Sequence, residues 1–407
     1  MAESYKTILV LTSTFPRWKN DTEPAFIYEL CERLGHSFKI IVLAPDAPGA
    51  KSHEFLNGVE VYRYKYFFKK FQKIAYQGGI LSNLNRNKIN YLMLPIFFIS
   101  QALFIIKLLR RYKVSLIHAH WVLPQAFISV IIRLFFSIRI PVLCTLHGGD
   151  LFAKNNVVVS GIMAWTLKKC EHITVVSNAM VDEIVNLGVD RNRISVLSMG
   201  VDLLNLFLPR DKCVRDSSTI LFVGRLVEKK GVKYLLEALK LVLSRNSQVR
   251  LVVIGDGPER KHLESLSVEL GIKKNVEFAG SLVHNELAGY YQTATLAVFP
   301  FVVADSGDQE GLGLVVVEAM GCMCPVIVSE LSVVEDIIND GENGVLVKPG
   351  DTKAIAEKIL YILNNREISE EMGIKGRQSV LSKYDWTVIS DNHAELYLKI
   401  VNLFSYV

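Results

Sequence analysis

The chain has 407 residues, of which 50% are hydrophobic and 21% are charged, and its formal net charge is +5. This composition is typical of a well-packed globular protein and argues against intrinsic disorder. The length exceeds what one hydrophobic core usually serves, so we expect two domains.

Short runs rich in β-branched residues alternate with amphipathic helical patterns such as VKYLLEALKLVLSR and TKAIAEKILYILNN. This alternation predicts parallel sheets covered by helices on both faces. The strands predicted in the first half are TILVLTS, FKIIVLAP, VEVYRYK, SLIHAHW, PVLCTLHG, HITVVS and ISVLSMG. Those predicted in the second half are TILFVGRL, VRLVVIGDG, VEFAG, LAVFP, PVIVSE and GVLVKPG.

The alternation is interrupted at 203–218, LLNLFLPRDKCVRDSS, and we place the interdomain linker there. We predict an N-terminal Rossmann-like domain over 1–203 and a C-terminal one over 204–385. The last helical pattern, within 386–407, is expected to pack back onto the first domain. The predicted class is α/β, with two doubly wound domains facing a central cleft. Ligands of such sheets bind at the carboxyl ends of the strands.

The cysteines and the N-terminus indicate the compartment. The N-terminal run MAESYKTILVLTSTFP has no basic leader, and we interpret it as a first strand rather than a signal peptide. No CxxC pair occurs, which predicts neither a zinc site nor a disulfide framework and favours a reducing compartment. The six cysteines are scattered at Cys31, Cys144, Cys170, Cys213, Cys322 and Cys324.

Positive charge is concentrated in the first half of the chain. Residues 1–200 contain 24 Lys and Arg against 13 Asp and Glu, whereas residues 201–407 contain 22 against 28. No acidic residue occurs between Glu60 and Asp150, a span that holds 13 basic residues. The first half is therefore expected to present a surface that prefers anions.

Two cationic positions follow the first strand of the second half. The strand TILFVG leads into Arg225, and Lys229-Lys230-Gly231 stands just before the next helix. Cations at a strand end beside a helix start are suited to a diphosphate. An isolated KKG is more often solvated surface charge, but its coupling to the strand end and to a second glycine turn favours a binding role.

The second glycine turn, Gly311-Leu312-Gly313, opens an apolar helical run, and helix starts attract anions. Yet three acidic residues, which would repel an anion, stand just before this turn: Asp305, Asp308 and Glu310. A ligand that is anionic in its middle and rich in hydroxyls at both ends, a nucleotide sugar, resolves this conflict.

Two carboxylates frame this turn. Glu310 and Glu318 are eight residues apart, roughly 12 Å along one helix axis if both lie on it. Ionised carboxylates accept hydrogen bonds and suit sugar hydroxyls. Glu310 is equally compatible with a cap that complements the helix dipole. Glu318 lies in an apolar run where an unpaired carboxylate would be costly, which favours a ligand or partner.

Four segments of the second half resemble the C-terminal domain of the retaining glycosyltransferases of family 4 (group 1), which have the GT-B fold. They are GRLVEKKG (224–231), VIGDGPE (253–259), EGLGLVVVE (310–318) and ENGVLVKPGD (342–351). The first half agrees more loosely through IHAHW (117–121), TLHGGD (145–150), VVSN (175–178) and LSMGVD (197–202).

This resemblance implies roles for matching residues. Arg225 and Lys230 would hold the donor diphosphate, Glu318 the ribose hydroxyls and Glu310 the transferred sugar. Backbone amides at Gly311, Leu312 and Gly313 would assist the sugar and phosphates.

In the first half, His147 matches the family's active-site histidine facing the donor sugar, with Asp150 close by on the acceptor side. Arg17, in the loop STFPRWKNDTEPAF, is also assigned to the acceptor side. This loop is a departure from many relatives, because it lacks their Gly-Gly pair.

The resemblance implies a hexosyltransferase-type enzyme that uses a nucleotide sugar. Because Arg225, Lys230 and the helix start can stabilise the leaving charge, we expect it to need no metal ion or other cofactor. No DxD-like motif is present in a suitable setting. His118 and His120 form a possible metal pair, but polar packing at a strand end is the favoured interpretation. Two alternatives remain: a sugar-nucleotide epimerase of the same fold, and a non-catalytic nucleotide-sugar-binding protein.

A basic-aromatic stretch, YRYKYFFKKFQK (62–73), and the long apolar run YLMLPIFFISQALFIIKLLRRYK (91–113) fall in the acid-free span. Pro95 and the immediate return to a strand favour a first-domain helix that is either buried against the sheet or lies in a membrane interface. We therefore expect a peripheral enzyme on an anionic membrane surface, the cytoplasmic face of the cell membrane. Its expected acceptor is a saccharide, lipid-linked, for a surface polysaccharide such as lipopolysaccharide. No nucleic acid partner is expected.

Overall fold

The computed structural model describes residues 5–18, 21, 23, 25–76, 79–148, 151, 157–210, 215–216 and 218–405. The chain forms two compact units, residues 1–198 with 389–407, and residues 199–388. Each unit contains one sheet.

The first unit is built on an eight-stranded sheet of order β3-β4-β2-β1-β5-β6-β7-β8. All neighbouring strands are parallel except β3 and β4. Its strands are β1 Thr7–Leu11, β2 Lys39–Pro45, β3 His53–Leu56, β4 Val59–Tyr64, β5 Val114–His120, β6 Val142–Leu146, β7 His172–Val175 and β8 Ile194–Val196. Its helices are α1 Phe26–Leu34, α2 Ile80–Arg86, α3 Leu94–Arg111, α4 Phe127–Phe135, α5 Val157–Lys169 and α6 Ala179–Asn186.

The second unit is built on a six-stranded parallel sheet of order β11-β10-β9-β12-β13-β14. Its strands are β9 Thr219–Val223, β10 Arg250–Ile254, β11 Val276–Gly280, β12 Leu296–Phe299, β13 Val326–Ser329 and β14 Val345–Val347. Its helices are α7 Val232–Leu243, α8 Arg260–Glu269, α9 His284–Thr293, α10 Leu314–Gly321, α11 Thr352–Asn364 and α12 Arg366–Tyr384. A last helix, α13, spans Trp386–Ser405.

The central strands are buried along their whole length, as in β1 (TILVL) and β9 (TILFV). Parallel strands that are covered on both faces have continuous apolar sequences, so they can be recognised in the sequence. Each predicted strand is present in the structure. The strand β3 was not predicted. It has four residues, pairs antiparallel at the sheet edge and is half exposed, so its sequence HEFL shows no strong apolar run.

The chain passes between the units at 198/199, not within 203–218 as the linker prediction held. The reason is that the start of this segment is packed into the second unit. Leu203 and Phe207 are buried, and the Arg377 guanidinium donates to both of their carbonyl oxygens, at 3.1 and 3.2 Å. The start of this segment therefore belongs to the second unit and does not mark the boundary.

The helix α13 begins in the second unit and belongs to the first unit from Ile389 onward. Within the first unit, the Tyr397 hydroxyl lies 2.5 Å from Nδ1 of His118 on β5, and the Tyr397 ring packs edge-on against Phe38. The end of the chain thus completes the core of the first unit.

Candidate active site

Glycine positions the cations that follow β9. A 3₁₀ turn over Glu228–Lys230 leads into Gly231, whose φ of +65° places the backbone in the left-handed region. A Cβ atom at Gly231 would lie 1.8 Å from the carbonyl oxygen of Pro300. Only glycine fits this close approach, and it places Lys230 directly before the start of α7.

Lys230 and Glu310 form an ion pair in which Nζ lies 2.6 Å from Oε2. The two side chains are only 12% and 16% exposed. The Lys230 ammonium also lies 4.6 Å from the centre of the Phe301 ring, a cation–π distance. The predicted site residues Lys230 and Glu310, 80 positions apart in sequence, therefore meet in one place.

Glu310 is held in its ionised form. Burial alone would raise the pKa of its carboxyl group, but the charges of Lys230 and Lys229, with hydrogen bonds from Lys230 and the Gly311 amide, lower it to about 2. Lys229 in turn donates to Asp308 at 3.0 Å and to the Gln309 carbonyl at 3.1 Å. The crowding of carboxylates seen in the sequence is thus balanced by two lysines.

The second glycine turn opens α10 as predicted. Gly313 is the N-cap residue, with φ of +82° and ψ of +50°, and no side chain caps the helix. Leu312 is buried beside it. The helix start therefore presents backbone N–H groups at the end of the segment that carries Glu310.

Glu318 lies within α10 and is 5% exposed. Its carboxylate accepts a hydrogen bond from the Tyr291 hydroxyl at 3.1 Å, and His284 Nε2 lies 3.3 Å from its other oxygen. Burial, reinforced by the charge of Glu318, raises the pKa of Tyr291 well above its ordinary value. Glu318 thus has the partners that its apolar surroundings demanded, and both come from α9.

Arg225 follows the end of β9 and is exposed. Within the part of the chain that the structure describes, its guanidinium has no hydrogen bond or ion pair. Nearby, a Cβ at Gly224 would lie 3.6 Å from the Lys230 side chain, so the strand end and Lys230 are adjacent. The structure therefore groups Lys230, Glu310 and Gly313 closely, while Arg225 stands free at the strand end.

In the first unit, His147 follows β6 and its Nε2 lies 2.9 Å from Nδ1 of His120. The two rings stack at 5.2 Å, and Trp121 and Phe26 contact His147 at 4.9 and 5.1 Å. Burial, with a smaller effect of His393, lowers the pKa of His147 to about 3. His147 is therefore an uncharged imidazole near neutral pH.

His120 begins a buried series of hydrogen-bonded side chains. The sequence offered His118 and His120 as a possible metal pair but favoured polar packing at a strand end, and the structure shows that packing. The His118 ring is tilted against that of His120, with the ring centres 4.2 Å apart, and His118 bonds to Tyr397 at 2.5 Å and to Thr145 at 2.6 Å. His393 on α13 lies 6.2 Å from His118, ring centre to ring centre. The HAH motif indicated His118 and His120 in the sequence. Nothing near this motif indicated their distant partners on α13, His393 and Tyr397.

Of the two predicted acceptor-side residues, Arg17 lies within the described part of the chain. Arg17 makes a bidentate pair with Asp21, at 2.7 Å from Nε and 2.6 Å from the terminal nitrogen, and stacks on Trp18 at 4.4 Å. Its donors therefore serve the loop itself. Asp150 lies outside the described residues.

Among the described residues, no group of three or more His, Cys, Asp or Glu side chains is arranged to hold a metal ion. Two residues near the predicted site carried no sequence signal. Phe301 contacts Lys230 across 71 positions, and Tyr291 contacts Glu318 from another helix. Both are ordinary core aromatics when seen in the sequence alone.

Comparisons with known proteins show which family the chain belongs to. Residues 211–379 match the model of "Glycosyl transferases group 1", and residues 25–204 match that of "Glycosyltransferase Family 4". An uncharacterized glycosyltransferase of Methanocaldococcus jannaschii is 30% identical over 275 residues, 67% of this chain and 72% of that protein. The phosphatidyl-myo-inositol mannosyltransferase of Mycobacterium leprae is 28% identical over 259 residues, 63% of this chain and 67% of that protein.

Among solved structures, Anabaena HepE in complex with UDP and glucose superimposes with a TM-score of 0.72 at 17% identity. That match covers 96% of this chain and 99% of HepE, and it concerns the fold. Two parallel-sheet units, both family models and a relative at 30% identity lead to one conclusion. The chain is a glycosyltransferase that belongs to the group 1 family and has the GT-B fold.

Proposed function

We propose that the protein is a retaining, hexosyltransferase-type enzyme that transfers a sugar from a nucleoside-diphosphate sugar to a saccharide acceptor. One observation carries the proposal: the buried Lys230–Glu310 pair lies beside a glycine-opened helix start, and that helix carries a second buried carboxylate, Glu318. A donor with a diphosphate between two polyols is complementary to this order of charges. HepE, which shares the fold, was solved with UDP and glucose.

In this proposal each group has a separate task. Lys230, the exposed Arg225 and the amides at the start of α10 bind the diphosphate. Glu318 binds the ribose, and Glu310 binds hydroxyls of the transferred sugar. Glu310 is well suited because its pKa of about 2 keeps it an acceptor at neutral pH. His147 is assigned to the sugar as an uncharged hydrogen-bonding group, because its pKa of about 3 excludes a permanent positive charge.

The chemistry is a substitution with retained configuration. The bond between the anomeric carbon and the phosphate oxygen breaks, and its electron pair leaves with the nucleoside diphosphate. The acceptor hydroxyl forms its new bond on the same face, and its proton passes to the departing phosphate oxygen. Lys230 and Arg225 stabilise the negative charge that grows on the leaving group, so we propose that transfer needs no metal ion.

We further propose a lipid-linked saccharide as acceptor, in the synthesis of a surface polysaccharide at the cytoplasmic face of the cell membrane. The support is the name of one relative, a phosphatidyl-myo-inositol mannosyltransferase, whose substrate is a lipid.

The test begins with a thermal-shift panel of UDP, GDP and ADP, followed by transfer assays with sugars of the nucleotide that binds. The anomeric configuration of the product is then compared with that of the donor by NMR. Binding of one nucleotide and a product of retained configuration are expected. An inverted product would contradict the mechanism. Conversion of the donor sugar to its epimer without any acceptor would contradict the transferase proposal.

A further inference from the structure

The helix α3 and the 3₁₀ turn before it form one continuous helical segment that exposes an apolar face. With the preceding 3₁₀ turn Lys88–Met93 it runs from Lys88 to Arg111. Five large apolar side chains along it are between 41% and 78% exposed, and they recur every three or four residues. This set is called the apolar stripe: Ile89, Leu92, Ile96, Ile99 and Leu103. The spacing places all five on one side of the helix, over roughly 23 Å.

The opposite side of the same helix is fixed in the first unit. Phe97 is fully buried, and its ring packs edge-on against Tyr64 at 5.4 Å and Tyr66 at 4.8 Å. Ile105 and Leu108 are buried on the same side. The sequence left two possibilities open, a core helix or an interfacial helix, and the structure shows a helix with one face in the core and an apolar face outside.

The stripe changes character at its end. Lys107 and Arg110 continue the same spacing after Leu103 and are exposed. Arg111 and Lys113, also exposed, follow. All of these cations fall in the span between Glu60 and Asp150 that contains no acidic residue. An apolar surface that ends in cations, without neighbouring acids in sequence, is complementary to anionic lipid headgroups above an acyl layer.

A second exposed element lies in the same span. Phe68 and Phe71 are exposed on a 3₁₀ turn that also carries the exposed Lys69 and Lys70. The turn follows Tyr66, which packs on Phe97 of α3. It adds phenylalanine and lysine side chains, which are typical of segments that lie in a membrane interface.

Within the described residues, one helix, Lys88–Arg111, has the length and the apolar composition needed to cross a membrane. Crossing would require Phe97, Ile105 and Leu108 to leave the core, along with the tyrosines that pack on Phe97. A helix that keeps one face on the protein lies in the plane of the interface instead.

We propose that the apolar stripe seats this protein on an anionic phospholipid surface, with Lys107 and Arg110 at headgroup level. The inference rests on the exposed face alone and does not depend on the donor chemistry. Only its consequence, access to a lipid-linked acceptor, rests on the proposed function.

The test is co-sedimentation of the full chain with vesicles of phosphatidylcholine alone or mixed with phosphatidylglycerol, at low and high salt. The stripe variant is Leu92→Gln with Leu103→Gln, both at exposed positions. Its matched control is Leu398→Gln with Leu403→Gln, two leucines exposed on α13. The charge variant is Lys107→Gln with Arg110→Gln, and its control is Lys358→Gln with Lys383→Gln, all at exposed positions.

The parent chain is expected to bind anionic vesicles at least about 10-fold more tightly than neutral ones, and salt is expected to weaken this binding. The stripe and charge variants lose about 10-fold or more, and both controls bind like the parent. Negligible binding of the parent to both vesicles, or an unaffected stripe variant, overturns the proposal. The proposal is also overturned if the parent is a dimer in the absence of lipid and the stripe variant is a monomer. In that case a second copy of the chain covers the apolar stripe. Since vesicle binding is measured without donor, failure of the glycosyltransferase assignment leaves these outcomes readable.

Discussion

The Lys230 ammonium lies 2.6 Å from the Glu310 carboxylate, and both side chains are largely withdrawn from solvent. Such a pair costs desolvation when it forms and leaves a buried charge when one partner is removed. The free protein therefore keeps the two groups preorganised opposite each other, with the start of α10 close behind Glu310. Preorganised charge of this kind is what stabilises a developing negative charge without reorganisation.

The first prediction separates the roles of the two partners. Glu310→Gln and Lys230→Ala are each expected to lower transfer by about 10²-fold or more. Only Lys230→Ala should also weaken binding of the free nucleoside diphosphate, because Glu310 is assigned to the sugar. Calorimetry with the diphosphate and transfer kinetics measure both effects. Lys230→Ala is also expected to lose stability, since the Glu310 carboxylate is left buried and unpaired.

The control for Lys230 is Lys233→Ala, which removes a lysine of α7 that lies over the Tyr234 ring. This variant should keep parental kinetics and binding. Near-normal turnover of Glu310→Gln, in a variant that unfolds like the parent, would refute its place in the active site.

The second prediction concerns metal ions. Transfer is expected to continue in excess EDTA, because Lys230 and Arg225 supply the positive charge that Mg²⁺ provides in other transferases. The measurement is the initial rate after dialysis against EDTA, with and without added Mg²⁺ or Mn²⁺. If transfer stops on chelation and resumes with either metal, Lys230 and Arg225 do not replace the metal ion, and the prediction is wrong.

The third prediction concerns Glu318 and its hydrogen bond from Tyr291. Tyr291→Phe removes one 3.1 Å bond that orients the carboxylate and should raise KM for the donor a few-fold at constant kcat. Glu318→Gln, which removes the proposed ribose acceptor, should weaken diphosphate binding by about 10-fold. Tyr290→Phe, at the neighbouring position of α9, is the control and should leave both constants unchanged. A fall in kcat alone for Glu318→Gln would assign the residue to chemistry rather than to binding.

The sequence predicted the parts of the fold that depend on local pattern. Buried parallel strands such as β1 and β9 are apolar at every position, so their existence follows from composition along the chain. The edge strand β3 was not predictable, because its short half-exposed sequence has no apolar run. The packing of Leu203 and Phe207 was not predictable either, because it depends on a distant partner, Arg377.

The candidate site divides in the same way. The two glycine turns were visible in the sequence. Positive φ favours glycine at both Gly231 and Gly313, and at Gly231 the close approach of the Pro300 carbonyl excludes a side chain as well. That Lys230 faces Glu310 across the sheet ends was not visible, because no local rule fixes contacts 80 positions apart. Similarly, the histidine chain joins β5, β6 and α13, and only His118 and His120 were adjacent in sequence.

The fourth prediction compares two glycines of the second unit. Gly231 and Gly271 both have positive φ, +65° and +74°, but a Cβ at Gly271 meets nothing within 4 Å, whereas one at Gly231 meets the Pro300 carbonyl oxygen at 1.8 Å. Gly271→Ala is expected to cost about 1 kcal/mol of unfolding free energy for the left-handed backbone alone. Gly231→Ala should cost at least about 2 kcal/mol more, measured by urea unfolding, because the backbone must move. Equal losses in the two variants would mean that the contact with Pro300 yields easily.

The last prediction is a dependence of stability on pH that arises in the first unit. Burial lowers the pKa of His147 to about 3 and that of His393 to about 4, and it lowers the pKa values of His118 and His120 well below the ordinary value. Because the unfolded chain protonates these groups near pH 6.5 and the folded chain does not, the unfolded state binds more protons as the pH falls. Their contribution to stability is therefore complete above about pH 6.5 and is lost progressively towards pH 3 to 4.

The measurement is the unfolding free energy from urea titrations between pH 8 and pH 4, for the parent, His393→Leu and His36→Gln. A difference of one in the pKa between the folded and unfolded states corresponds to about 1.4 kcal/mol. Removing one buried histidine should therefore make the unfolding free energy depend less steeply on pH. His36 is exposed, and His36→Gln should keep the parental slope. Stability at pH 8 shows whether His393→Leu is folded, and comparison of slopes then isolates protonation from packing. If His393→Leu loses stability with falling pH as steeply as the parent, the buried histidine chain is not what makes the protein acid-sensitive.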